Sequence, residues 1–137
     1  MSIRVIVVTP EKTALDMQTN FVVLPLFDGE YGVLSGHSPL IARLGAGELR
    51  IAGADGQQEI CYVEGGFAEI RNDTVALMTM YIVPAKDLDL ALSEELLQKA
   101  EASPADSYEL LQIRHEKLHN ARTRVRIAQK MAGNRND

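Results

Sequence analysis

The distribution of glycine divides this chain into two parts of different structural character. Nine of the ten glycines lie at or before Gly66, and none lies between Phe67 and Ala132. Glycine reaches positive φ and allows close backbone approach, so a glycine-rich stretch favours turns between short strands. The hydrophobic period also changes after Pro84, from that of strands to that of helices. We therefore predict two domains, 1–84 and 85–137.

Short apolar runs separated by turn signals predict strands throughout the first domain. The predicted strands are Ile3–Thr9, Phe21–Leu26, Tyr31–Leu34, Gly47–Ala52, Glu59–Glu64, Phe67–Arg71 and Thr74–Ile82. Asp55-Gly56 is the strongest hairpin signal, because both residue types tolerate the positive φ of a primed turn. Six or more short strands without intervening helices predict an antiparallel β-sandwich or flattened barrel, of which we expect the sandwich.

The second domain has the pattern of two helices. Apolar residues recur near the helical period at Leu88, Leu92, Leu96 and Ala100. Ser103-Pro104-Ala105-Asp106 has a capping residue, a proline and an acid in the order of a helix start, so a second helix is predicted from there to about Met131.

An apolar seam is expected along this second helix, at Leu111, Leu118, Val125 and Ala132, with Ala121 and Ala128 between them. So narrow a seam suits one partner helix and predicts an antiparallel two-helix hairpin. Because each helix has only a thin aliphatic stripe, we expect the hairpin to be weakly anchored.

The single cysteine, Cys61, excludes an internal disulfide and suits a reducing compartment. It lies in the apolar–polar alternation of Ile60–Val63, so we expect a small buried apolar residue. The start, Met1–Val7, lacks the basic segment and cleavage site of a signal peptide, and no apolar run reaches the length of a membrane span. These features predict a cytoplasmic location.

Charge is distributed unevenly along the chain. Residues 1–113 hold 7 Lys and Arg against 17 Asp and Glu, whereas residues 114–137 hold 7 against 2. A basic segment of this kind suits nucleic acid or an acidic protein partner. Nucleic acid is disfavoured because no aromatic residues are interleaved with Arg122, Arg124, Arg126 and Lys130.

A joint pattern of motifs in the first domain resembles a known family. Gly29-Glu30-Tyr31-Gly32 is followed by His37-Ser38-Pro39-Leu40, and Val63-Glu64-Gly65-Gly66-Phe67 follows later. Together with the opening Val8-Thr9-Pro10-Glu11, this pattern is similar to that of the epsilon subunits of F-type ATP synthases. The match runs through residues 1–84 and continues more loosely to the C-terminus.

The resemblance implies a non-catalytic subunit of the central stalk, with no cofactor of its own. It implies that the sandwich binds the gamma subunit and the membrane ring of c subunits, with Gly29, Glu30 and His37 as contact candidates. It also implies a peripheral location on the cytoplasmic face of the inner (plasma) membrane.

The same resemblance implies a regulatory role for the helical domain. In that family the basic second helix can leave the sandwich and contact an acidic segment of the catalytic beta subunits in the alpha/beta hexamer, which blocks ATP hydrolysis. The candidate latch residues here are Arg122, Arg124, Arg126 and Lys130.

Some members bind ATP between the two helices through Ile/Leu-Asp-x-x-Arg-Ala. This chain has Leu88-Asp89, but Leu92 stands where the arginine would be. Asp89, Arg122 and Arg126 are the remaining ATP candidates, and losing the first-helix cation removes a phosphate donor.

Two other functions fit parts of the sequence. His115-Glu116-Lys117-Leu118-His119 fits the zinc motif H-E-x-x-H of hydrolases, although Lys117 lies inside it and no third ligand is evident. The other alternative is a free-standing β-sandwich binding module with a helical tail.

Overall fold

The computed structural model describes residues 2–53 and 55–135, and the chain divides into two compact units, Met1–Pro84 and Ala85–Asp137. Within the described residues the first unit is built from strands: β1 (Ile3–Val8), β2 (Thr13–Thr19), β3 (Phe21–Leu26), β4 (Gly29–Leu34), β5 (Leu40–Ala52), β6 (Gln58–Arg71), β7 (Thr74–Met78) and β8 (Ile82–Pro84). The second unit has a 3₁₀ turn at Ala85–Asp87, then helices α1 (Leu90–Glu101) and α2 (Tyr108–Arg135).

The strands form one sheet that folds into two layers. Their order is β2-β1-β7-β6-β5-β3-β4, and β8 pairs with β6. The long strand β6 belongs to both layers: Cys61–Val63 pairs with β8, and Phe67–Arg71 pairs with β7. The predicted β-sandwich followed by two helices is confirmed.

The core between the layers is aliphatic. Alternate residues of each strand point inward, as in β1, where Ile3, Val5 and Val7 are buried and the residues between them are more exposed. Inward residues of both layers form one cluster, which includes Val22, Leu24, Leu44, Leu49, Ile51, Val63, Ile70, Val75 and Leu77.

Gly66 marks the bend of β6 between the layers. Its φ is +112°, and a Cβ atom there would collide with the backbone oxygen of Met78. Only glycine fits a position with positive φ and so close a backbone neighbour.

Several predicted strand limits were wrong. Gly47–Ala52 is the second half of β5, while Glu59–Glu64 and Phe67–Arg71 are one strand. The glycines in these segments predict turns, but in the structure they lie within the long strands β5 and β6. Strand β2 was missed because it is an edge strand with few apolar residues, and β1 pairs with β7 in parallel although the other pairs are antiparallel.

The hairpin predicted at Asp55-Gly56 is present, because this dipeptide lies in the connection between the antiparallel strands β5 and β6. Gly56 has a positive φ of 85°. Asn72 and Asp73, with φ of 51° and 57°, form the two-residue turn between β6 and β7. Asn and Asp tolerate this conformation because their side chains can bond locally.

The start of α2 also differs from the prediction. Ser103 and Pro104 lie in the connection between the helices, and Ser107 caps α2 by accepting a hydrogen bond from the Leu110 amide, at 3.1 Å. Ser103 instead donates to the Lys99 carbonyl in the last turn of α1. The acid expected in the first turn is Glu109 and not Asp106.

The apolar seam is shorter than predicted. Ala100 packs with Leu118 and Ala121, but Leu111 is 48% exposed and Leu92 is 55% exposed. Arg114, three residues after Leu111, donates to the carbonyl of Glu101, the last residue of α1. In the row predicted from Leu88, only Leu92 is exposed; Leu88 is buried but precedes the helix, which Asp89 caps.

Candidate partner-binding surfaces

Glu30 lies at the start of β4 and is held by an ion pair across the neighbouring strand. Arg50 of β5 donates to both carboxylate oxygens of Glu30, at 3.0 and 2.9 Å, and to Glu48 at 3.1 Å. The pKa of Arg50 is raised, first because its guanidinium donates to Glu30; burial lowers it, and the hydrogen bond to Glu48 raises it again. The contact candidate Glu30 is therefore presented in a defined orientation. Gly29, with φ of +138°, precedes it.

His37 lies in the loop after β4 and folds back onto that strand. Its Nδ1 is 2.6 Å from the Ser38 carbonyl, which can only accept, so Nδ1 carries a proton. Its Nε2 lies 2.5 Å from the hydroxyl of Tyr31, so both ring nitrogens have a hydrogen-bond partner. With both nitrogens engaged, His37 is suited to a fixed contact surface and not to general-base catalysis.

The structure places Glu30 and His37 on opposite faces of β4. Tyr31, which His37 contacts, packs against the core, whereas Glu30 points outward to Arg50. Neighbouring residues of a strand point to opposite faces, which explains the separation.

The loop that bears His37 is held by hydrogen bonds to the turn between β6 and β7. The Asp73 carboxylate accepts from the Gly36 amide at 2.7 Å and from the Ser35 hydroxyl at 3.2 Å. Asp73, Tyr31 and Arg50 are not among the predicted site residues. Two of them act on residues 20 or more positions away, and no local pattern reports such a contact.

An apolar patch lies on the outer face of the sheet, and the sequence analysis did not predict it. Val8, Met78, Phe67 and Arg43 lie opposite one another on β1, β7, β6 and β5, which places their side chains in one row. The guanidinium of Arg43 lies 4.4 Å from the centre of the Phe27 ring, a cation–π contact. We call this surface the outer-face patch; its exposed apolar members are Val8, Phe27, Ile41, Phe67 and Met78.

A cleft of about 600 Å³ lies at an edge of the sandwich, lined by residues that include Lys12, Glu59, Cys61 and Met80. Cys61 is buried, as predicted. Burial raises the pKa of its thiol to about 11, and the Glu59 charge adds to the effect. The thiol therefore stays protonated and weakly nucleophilic near neutral pH.

The basic residues of α2 do not share one face. Arg122, Arg126 and Lys130 recur every four residues and are exposed, whereas Arg124 is half-buried. Thr123, which lies between Arg122 and Arg124, is buried and donates to the His119 carbonyl at 2.8 Å. The three exposed cations form a row on one side of the helix, as residues four apart do.

Other predicted ligand residues have structural or exposed positions. The Asp89 carboxylate caps α1 by accepting from the Leu92 amide at 2.9 Å, so this ATP candidate already has a role in the helix. His115, Glu116 and His119 are exposed on α2. In the part of the chain that the structure describes, no three His, Cys, Asp or Glu side chains lie close enough to share a metal ion.

Neither described helix combines the length and the apolar content that crossing a membrane requires.

Comparisons with known proteins agree with these features. The model of the ATP synthase delta/epsilon chain β-sandwich domain matches residues 2–85. The ATP synthase epsilon chain of Rhodopirellula baltica is 41% identical over 128 residues, which cover 93% of this chain and 99% of the relative.

Two solved structures share the fold. One is a chain of the Euglena gracilis mitochondrial ATP synthase (OSCP/F1/c-ring), with a TM-score of 0.79 and 21% identity over 89% of this chain and 78% of that one. The other comes from the central stalk/c-ring of the Tetrahymena thermophila mitochondrial ATP synthase, with a TM-score of 0.75 and 13% identity over 93% and 97%. On the sequence matches and the shared fold together, the chain belongs to the family of ATP synthase epsilon chains.

Proposed function

We propose that this chain is a non-catalytic central-stalk subunit of a bacterial F-type ATP synthase. Its sandwich links gamma to the membrane ring of c subunits, and its helical unit restrains ATP hydrolysis. The two similar solved structures are of ATP synthase assemblies with a c-ring, and one of them is of the central stalk, which supports this assignment. The subunit is then peripheral, on the cytoplasmic face of the inner (plasma) membrane.

The outer-face patch is the observation that carries the proposal. Large apolar side chains on the outside of a sheet leave a surface that a monomeric protein rarely exposes. Aromatic residues, methionine and arginine are enriched where proteins bind one another, and Phe27, Phe67, Met78 and Arg43 supply these types. We assign this surface to gamma, while Gly29, Glu30 and His37 remain the candidates for the c-ring and its surroundings.

Introducing a charge into the patch tests this assignment. Phe67→Asp in the full-length chain is expected to weaken binding to purified gamma by at least about tenfold, because a carboxylate would be desolvated at the interface. Leu34→Asp is the matched control, since Leu34 is an equally exposed apolar residue on β4, away from the patch. Equal binding by Phe67→Asp and the natural chain would contradict the assignment.

The helical unit is proposed to act as a reversible brake. Folded, it is permissive; extended into the alpha/beta hexamer, it blocks hydrolysis. Arg122, Arg126 and Lys130 supply an exposed cationic row for an acidic segment of the beta subunits, and Arg124 belongs to the same candidate latch. ATP remains a weak candidate as a ligand of this unit, because Asp89 caps α1.

Hydrolysis by the assembled catalytic complex tests the brake. Truncation after Ala85 and the double variant Arg122→Ala/Arg126→Ala are both expected to raise the ATP hydrolysis rate severalfold. Lys117→Ala removes another exposed cation of α2 and is expected to leave the rate unchanged. If neither the truncation nor the double variant changes the rate in an intact complex, the helical unit is not an inhibitor.

A further inference from the structure

The ion pair between Arg50 and Glu30 spans the width of a strand. Val23 of β3 pairs with Arg50 on one side and with Gly32 of β4 on the other, so β3 separates the two charged residues. Strands lie about 4.8 Å apart, which puts β4 and β5 almost 10 Å from each other. Arginine is long enough to cross this gap, and its planar guanidinium matches both oxygens of a carboxylate.

The side chains of Glu48, Arg50 and Glu30 form a charged row, and their solvent exposure increases in that order. The side chain of Glu48 is 12% exposed, that of Arg50 is 22% exposed and that of Glu30 is 65% exposed. Glu48 and Arg50 are adjacent outward positions of the same rigid strand, and their contact of 3.1 Å holds the guanidinium in place. The row is therefore anchored in the protein at Glu48 and opens to solvent at Glu30.

Arg50 gives the Glu30 side chain a defined direction. Glu30 follows the tight connection between β3 and β4, and its side chain has three rotatable bonds. Contact through both oxygens fixes the plane of the carboxylate as well as its position. An ionised carboxylate only accepts hydrogen bonds, so a partner at this position must offer N–H or O–H donors.

We infer that Arg50 is a positioning residue, which orients the Glu30 carboxylate for a hydrogen-bond donor on the c-ring, and that Glu48 in turn holds Arg50. This inference rests on the proposed function, because it assumes that Glu30 meets the ring. In this proposal Arg50 does not touch the c-ring and acts only through Glu30.

A double-mutant cycle on binding tests the inference. The full-length chain and its variants are titrated against the detergent-solubilised gamma–c-ring complex, and the dissociation constants are compared. Glu30→Gln is expected to weaken binding about tenfold, and Arg50→Lys about fivefold, because lysine keeps the charge but cannot contact both oxygens. In the Glu30→Gln background, Arg50→Lys is expected to have no further effect, which a merely structural role would not produce.

Arg4→Lys is the matched control. Arg4 also contacts both oxygens of a carboxylate, that of Asp16 on the neighbouring strand β2, at 2.9 and 2.7 Å. Its replacement is expected to leave ring binding unchanged. If Arg50→Lys lowers stability, the double variant Arg50→Met/Glu48→Gln, which leaves no buried charge unpaired, is expected to weaken binding at least as much as Arg50→Lys.

The outcomes separate the inference from the proposed function. If Arg50→Lys weakens binding equally in the natural chain and in the Glu30→Gln variant, or if it has no effect while Glu30→Gln does, the positioning role is wrong and the ring contact stands. If Glu30→Gln has no effect on binding, Glu30 does not contact the ring. The proposed ring contact and the positioning role of Arg50 are then both wrong.

Discussion

The sandwich and the helical unit differ in how they bury apolar surface. The sandwich encloses a continuous cluster of aliphatic residues contributed by both layers, including Val5, Leu24, Leu77 and Ile70. The described cluster between α1 and α2 is smaller: Ala100, Leu118 and Ala121, with Leu97 packed against it. Ile127 and Ala128 of α2 are buried as well. Two of the three buried members of the cluster are alanines, which bury little area, so we expect this contact to contribute less to stability than the core of the sandwich. This difference supports the proposal that the helical unit rearranges while the sandwich does not.

The largest effect is expected where the sandwich bends. Gly66→Ala should lower the free energy of unfolding by more than about 3 kcal/mol, because the new Cβ would collide with the Met78 carbonyl at positive φ. Gly65→Ala is the matched control: φ is also positive there, but the Cβ would meet open space, so a loss of about 1 kcal/mol is expected. Urea denaturation measures both, and equal losses would show that the collision is relieved cheaply.

Removal of one buried leucine from each unit tests the comparison itself. Leu77→Ala should cost the sandwich about 3 kcal/mol, whereas Leu118→Ala should cost the helical unit about 2 kcal/mol. Hydrogen exchange can follow each unit separately, and faster exchange is expected only in the unit that carries the substitution.

The exposed Leu111 is the control for this pair. Leu111→Ala should change stability by less than about 0.5 kcal/mol, since that side chain is half exposed. Faster exchange of the sandwich amides after Leu118→Ala would mean that the two units unfold together. The sandwich and the helical unit would then not differ in stability as expected.

A smaller effect is expected at the start of α2. Ser107→Ala removes the cap of the Leu110 amide and should cost about 1 kcal/mol of helix stability. Ser103→Ala is expected to cost less, because that hydroxyl donates to a carbonyl in the last turn of α1 and does not cap α2. Far-UV circular dichroism, which reports secondary-structure content, measures the difference during thermal unfolding. A larger loss for Ser103→Ala would place the helix start where the sequence suggested.

The smallest effect is expected from the exposed pair Arg4 and Asp16. The hydrogen bond from Arg4 lowers the pKa of Asp16 in the folded state. The stabilisation is therefore complete above the unfolded pKa of about 3.9 and is lost as the pH falls through the lower folded value. Asp16→Asn should flatten the acid side of the stability–pH curve slightly, and a steeper acid loss in that variant would contradict this.

Local patterns predicted the strands that are short apolar runs between turn signals. Ile3–Val8 and Phe21–Leu26 are of this kind, and both are strands in the structure. Glycines misled where they bend a continuous strand, as at Gly65 and Gly66, since a turn and a bend use the same residue.

The site was predictable only in part, for a related reason. Glu30 and His37 came from a motif in consecutive residues, but the groups that orient them do not. Arg50 reaches Glu30 across β3, and Asp73 reaches Gly36 from another hairpin. The outer-face patch is likewise a property of strand register, since Val8, Phe67 and Met78 become neighbours only once three strands are aligned.

The parallel pairing of β1 with β7 has a consequence for synthesis on the ribosome. Strand β1 can pair with its second neighbour, β7, only after residues 74–78 have been synthesised. At about 5–20 residues per second, that delay is on the order of ten seconds. During this interval β1 has only β2 as a paired neighbour, and Ile3, Val5 and Val7 lack the β7 side chains Val75 and Leu77 of their cluster. The nascent sandwich is therefore most exposed to aggregation, and most accessible to chaperones that bind short apolar segments, before its seventh strand emerges.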